Sequence, residues 1–120
     1  MQPEIAFVSP TPQGSVAWFY ATHLGDLPAP EDARAYLLEE IKELTHALAV
    51  DGAEAQLKEL ADVLYTAHGY ALARGWNLTR AFEIVHASNM SKPPSADGKK
   101  VQKGEGYVVP DLSACIGGAS

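Results

Sequence analysis

Two stretches of helical spacing, separated only by Asp51-Gly52, constrain this chain more than any other feature. Leu37, Leu38, Ile41, Leu44 and Leu48 fall on one side of a helix, and Leu57, Leu60, Ala61, Leu64, Ala67, Ala71 and Leu72 repeat the pattern. The first stretch opens at Pro30-Glu31-Asp32, a proline followed by acids in the first turn, and the second stops at Gly75. So short a link predicts an antiparallel hairpin. Shorter apolar runs predict a first helix from Ser15 to Leu24, with Ser15 as its N-cap and Gly25 as its stop. A fourth is expected from Asn77 or Leu78 to about Ser88, capped by Asn77 and burying Leu78, Phe82 and Val85. From Pro93 onward, Pro93-Pro94, Asp97-Gly98 and Gly104 are turn formers, and outside Gly106–Val109 nothing alternates as a strand does.

The expected class is therefore all-α, a bundle of about four helices. A length of 120 residues suits one domain, read as 1–112, with a helical core over 15–90, an arm over 91–112 and a tail over 113–120. Hydrophobic residues make up 47% of the chain, enough to exclude wholesale disorder. A net charge of −6 disfavours a nucleic-acid polymer or an anionic membrane as partner. No apolar run reaches the roughly 18 residues needed to span a bilayer, and Met1–Ser15 lacks the pattern of a secretory leader. With Cys115 alone, no disulfide forms within one chain, which fits a reducing cytoplasm.

The acids are concentrated: residues 31–62 hold nine acidic and three basic groups. Glu39, Glu40 and Glu43 share a sector roughly 100° wide, and Glu59 and Asp62 lie about 60° apart on the next helix. Solvated helix surface is the plain explanation of such clusters. What continues those faces argues against it. Asp62, Thr66, Gly69 and Ala73 form a strip of small residues, and a mid-helix glycine, costly by about 1 kcal/mol, usually marks the close approach of another backbone. Tyr36, Ala47 and Val50 flank the acids of the preceding helix. If these faces pack, five carboxylates meet out of bulk water, and Lys42 and Lys58 cannot neutralise them. Hard divalent cations, Mg²⁺ or Mn²⁺ with waters completing their shells, can. His23, His46, His68 and His86 are too dispersed for a zinc site. Such ions normally bring phosphate, and the arm gathers Lys92, Lys99, Lys100 and Lys103, with Asn89 just before it.

Glu39-Glu40-x-x-Glu43, followed after fifteen residues by Glu59-x-x-Asp62, resembles the paired motif of the all-α nucleoside triphosphate pyrophosphohydrolases, the MazG and phosphoribosyl-ATP pyrophosphohydrolase superfamily. Lys58 to Tyr65, Val85 to Lys92, Asp97-Gly98-Lys99, Lys103-Gly104 and Tyr107 to Asp111 are similar to its compact MazG-like branch, which includes dimeric dUTPase-like enzymes and phage nucleotide-pool enzymes. The likeness spans roughly residues 15 to 112. It implies cleavage of a (d)NTP between the α- and β-phosphates to (d)NMP and pyrophosphate, with dGTP to dGMP as the phage-type reaction, in the cytoplasm of an infected cell. It further implies Glu40, Glu43, Glu59 and Asp62 as ligands of two or more Mg²⁺ or Mn²⁺ ions, and Glu39 as the group that positions or deprotonates the attacking water. Asn89 and Lys92 would contact sugar or phosphate, with Lys99, Lys103 and Tyr107 in support, and Trp18 or Phe19 would stack on the base or fill the core. A dUTPase-like enzyme of the same fold and a non-catalytic helical oligomerisation module are the competing readings. A hairpin with two packable faces also predicts a homodimer, or a tetramer built from two dimers.

Overall fold

A computed structural model of the chain describes residues 9–117. The beginning of the stretch read for a leader and the last three residues of the tail lie outside the described residues. Four helices follow in order: α1 (Pro12–His23), α2 (Pro30–Val50), α3 (Ala53–Arg74) and α4 (Leu78–Met90), then a single 3₁₀ turn at Ser113–Ile116. No strand occurs among the described residues, Gly106–Val109 included. Nor is any described helix long and apolar enough to cross a membrane. The chain divides into two compact units, the first ending at Trp76 and the second beginning at Asn77.

In the first unit the hairpin has the expected ends. Pro30 occupies the first turn of α2 with Glu31 and Asp32, so acids replace a capping side chain at the positive helix terminus. Gly75 closes α3 in the left-handed conformation (φ 75°), and the Trp76 N–H reaches back to the Ala71 carbonyl at 2.8 Å. The start of α1 differs from expectation. Thr11, not Ser15, is its N-cap: Thr11 Oγ1 accepts from the Gly14 N–H, and Pro12 sets the first turn. A Thr-Pro pair suits this better than Ser15, because proline has no N–H to lose there. Ser15 instead accepts the Ser9 N–H through its hydroxyl.

Packing inverts the ranking that hydrophobicity suggests. Ala33, Leu37, Glu40, Leu44 and Ala47, spaced by four and three, form the covered side of α2. Leu38, Ile41 and Leu48 on one flank of that line, and Leu57, Leu60 and Leu64 on α3, stay open to solvent, Leu64 at 55% exposure. Gly69 does mark a close approach, but of a ring and not of a backbone. A Cβ at Gly69 would stand 3.1 Å from the Tyr20 hydroxyl oxygen.

The second unit corrects the expected stripe of α4. Asn77 caps it as predicted, accepting the Arg80 N–H, and the helix runs two residues past Ser88 to Met90. Phe82, however, is 73% exposed and Val85 is exposed as well, while Ser88 is buried. Within this unit the returning chain supplies covering surface for α4. That chain meets the side carrying Ser88, and the Cys115 carbonyl ends the return by accepting the Asn77 N–H at 2.8 Å.

Candidate functional site

Glu39, Glu40 and Glu43 lie within one turn of α2, and Glu59 and Asp62 one turn apart on α3, so the seam of the hairpin decides which of them meet. It gathers three. Carboxylate oxygens of Glu40, Glu43 and Glu59 all lie within 4.8 Å of one another. Glu40 Oε2 and Glu59 Oε1 are buried and have no hydrogen-bond partner. Burial above all, then the charges of Glu43, Asp62 and Glu59, hold the Glu40 carboxyl above its ordinary pKa, with only Lys58 opposing. Asp62 is tied to Lys58, one turn earlier on the same helix, with Nζ 2.6 Å from Oδ2. That bond is also the main reason the Lys58 pKa is raised.

Buried carboxylate oxygens without partners are the costliest polar groups a fold can keep, unless something absent from the protein chain satisfies them. An all-oxygen donor set of this kind fits a hard divalent cation and offers nothing to a zinc-type N/S site. Beside it opens a cavity of about 310 Å³. Glu39, Glu40 and Asp62 supply its acidic side, and Phe19, Tyr20, Tyr36 and Tyr65 its aromatic wall. Burial raises the phenol pKa values of Tyr20 and Tyr65, so both are neutral donors near pH 7. Phe19 lies edge-on to Tyr65, ring centroids 5.6 Å apart. Trp18, the neighbouring residue, is 46% exposed and does not line this cavity. Tyr36 was read as flanking the acids, but the wall it forms with Tyr20 and Tyr65 escaped the sequence reading. Its signal was spacing: Tyr36 precedes Glu39 by three residues, and Tyr65 follows Asp62 by three.

The remaining predicted residues belong to the second unit. Asn89 is exposed near the end of α4, and its carbonyl accepts the Lys92 N–H at 3.2 Å. Lys92 and Lys103 both stand over the Tyr107 ring, with Nζ 5.9 and 5.4 Å from its centroid. Lys99 is fixed through its backbone. Its N–H and that of Lys100 donate to Asp97 Oδ1 at 2.9 and 3.2 Å, which lowers the Asp97 pKa, in a turn that Gly98 closes at φ 71°. Two of the predicted arm lysines thus stand over the predicted tyrosine.

The family model of phosphoribosyl-ATP pyrophosphohydrolase matches residues 10–89 of the 120. The chain belongs to that family, and so to the MazG-like nucleoside triphosphate pyrophosphohydrolase superfamily. Pyrophosphohydrolase chemistry is accordingly its class of activity. No curated protein is similar enough in sequence to count as a relative. The matched stretch holds every acid of the candidate centre and ends at Asn89, before the arm.

Proposed function

We propose that this chain is a divalent-metal-dependent pyrophosphohydrolase that cleaves a nucleoside triphosphate between its α- and β-phosphates. The observation that carries the reading is the pair of buried, unpartnered oxygens on Glu40 and Glu59 within reach of Glu43. Mg²⁺ or Mn²⁺ suits such donors, and Glu40, Glu43 and Glu59 would hold it, with Asp62 joining once Lys58 releases it. When bound, the ion supplies charge neutralisation for the triphosphate and for the pyrophosphate that leaves.

The chain's own residues do the rest. Glu39, on the cavity's acidic side, accepts a proton from water attacking the α-phosphorus. The bond to the α–β bridging oxygen then breaks, giving a nucleoside monophosphate and pyrophosphate. Phe19, Tyr36 and Tyr65 offer a stacking surface for a base beside the acids, with Trp18 next to them on α1. Asn89 and Lys92 contact sugar or phosphate, supported by Lys99, Lys103 and Tyr107, so that residues 1–112 act as one catalytic domain. The substrate class includes dGTP, as in a phage nucleotide pathway, dUTP, and phosphoribosyl-ATP itself, whose cleavage at the same bond also releases pyrophosphate. Active assembly is a homodimer, or a tetramer of two such pairs, joined through the leucine flank of the hairpin.

Purified protein with Mg²⁺ or Mn²⁺ and a panel of these nucleotides should release pyrophosphate. Glu43→Gln and Asp62→Asn should each reduce that release by about 10²-fold or more while leaving the helical circular dichroism unchanged. Orthophosphate as the product would reject the bond assignment. An absence of any release would leave a helical oligomerisation module.

A further inference from the structure

The returning chain of the second unit is held by side chains that the catalytic reading does not use. Ser88, buried on α4, donates from Oγ to the Val108 carbonyl at 2.6 Å, and the Val108 N–H donates to Ser91 Oγ at 2.8 Å. Two hydroxyls one helical turn apart therefore take both main-chain polar groups of one residue, much as a neighbouring strand does. Ser91 Oγ spends its own proton on the Ser88 carbonyl at 2.6 Å, which leaves its lone pairs for Val108.

Val108 itself stays 61% exposed, so burying that residue is not the main result of these bonds. What they fix is the residue beside it. The Tyr107 N–H returns to the Gly104 carbonyl at 3.1 Å. Gly104 in turn lies so close to Pro93 that a Cβ there would stand 2.9 Å from the proline ring. The ring thus held is the one over which Lys92 and Lys103 meet. Both ammonium groups stand near the same ring, so an anion bound at that ring gains from two positive charges.

We propose that Ser88 and Ser91 are positioning residues. They latch the arm at Val108 so that Lys92 and Lys103 stand assembled around Tyr107 before the phosphate chain of the substrate arrives. This rests on the reading above that the arm lysines contact phosphate. A latch formed in the free protein removes the cost of ordering the arm from the binding step, so its loss appears in affinity and not in the chemical step.

The test uses the full chain with inorganic pyrophosphate and Mg²⁺ as the probe, following affinity by calorimetry and the Val108 amide by hydrogen exchange. Ser91→Ala should weaken pyrophosphate binding about tenfold and speed Val108 exchange by a similar factor, with helical content unchanged. Ser91→Thr, which keeps the hydroxyl, should restore both. Lys92→Ala and Lys103→Ala should weaken binding yet leave Val108 protected. If Ser91→Ala frees the amide without changing affinity, or leaves the amide protected, the latch is overturned while the role of the lysines stands. If neither lysine variant changes affinity, the phosphate-binding reading of the arm fails and the latch proposal fails with it.

Discussion

The two flanks of the α2–α3 hairpin divide its residues against their hydrophobicity. On one flank lie Glu39, Glu40 and Asp62, half enclosed by Phe19, Tyr20, Tyr36 and Tyr65. On the other, Leu38, Ile41, Leu48, Leu57, Leu60 and Leu64 face solvent. A protein that buries carboxylate oxygens while exposing leucines has given each flank a task that packing within one chain does not explain. On the proposed reading, the acidic flank would hold a cation and the leucine flank would pack on a second copy.

The largest expected effect bears on the leucine side. Leu60→Lys would place a charge in the proposed subunit interface and weaken it by on the order of 3 kcal/mol, about a hundredfold in dissociation constant. Analytical ultracentrifugation should record monomers for the variant and dimers or tetramers for the parent. Monomers for both would leave those leucines without a covering partner and break the comparison.

Next in size is the response of the acidic side to metal. At a hundred times its dissociation constant, Mg²⁺ or Mn²⁺ should stabilise the fold by about 2.7 kcal/mol, a rise in Tm of roughly 10 °C. The same ion should not shift the Tm of a Glu40→Gln, Glu43→Gln double variant by a comparable amount.

The smallest effect sharpens the comparison through pH. Glu40 has a raised folded pKa, so it favours folding when protonated and opposes folding as pH rises through that value. Without metal, Glu40→Gln should therefore raise the Tm at pH 7 to 8, by less than metal raises that of the parent. His68, buried with Nδ1 unpartnered, has the opposite sign. Burial lowers its pKa, so stability falls as pH drops below about 6.5, where the unfolded chain takes up the proton first. Thermal melts from pH 5 to 8 of the parent, Glu40→Gln and His68→Gln separate the two contributions.

Much of the fold was legible because its signals are local. Pro30 with Glu31 and Asp32, the Asp51-Gly52 break, the left-handed Gly75 and the Asn77 cap each act within a turn of chain, and each stands where the sequence reading put it. The misreadings were of another kind. Ser15 and Thr11 are both competent caps, and the proline after Thr11 decided between them. Phe82 and Val85 have helical spacing, but spacing does not tell a helix which side will be covered, and on α4 the returning chain meets Ser88. In the candidate site, the cluster of Glu39, Glu40 and Glu43 and the pair of Glu59 and Asp62 were visible from their spacing. That Glu59 joins Glu40 and Glu43 depends on how two helices rotate against each other, whereas the Lys58–Asp62 pair forms within one turn of α3.

The amino-acid order alone determined the helices, the hairpin and the candidate metal-binding chemistry, since propensity, capping and charge spacing operate between neighbours in the chain. Tertiary structure alone decided that Glu40 and Glu59 bury carboxylate oxygens, that Leu38, Leu57 and Leu64 stay exposed, and that Tyr20 takes the space opposite Gly69. Those outcomes depend on the competition of whole faces for limited covering surface, and no stretch of sequence settles that competition by itself.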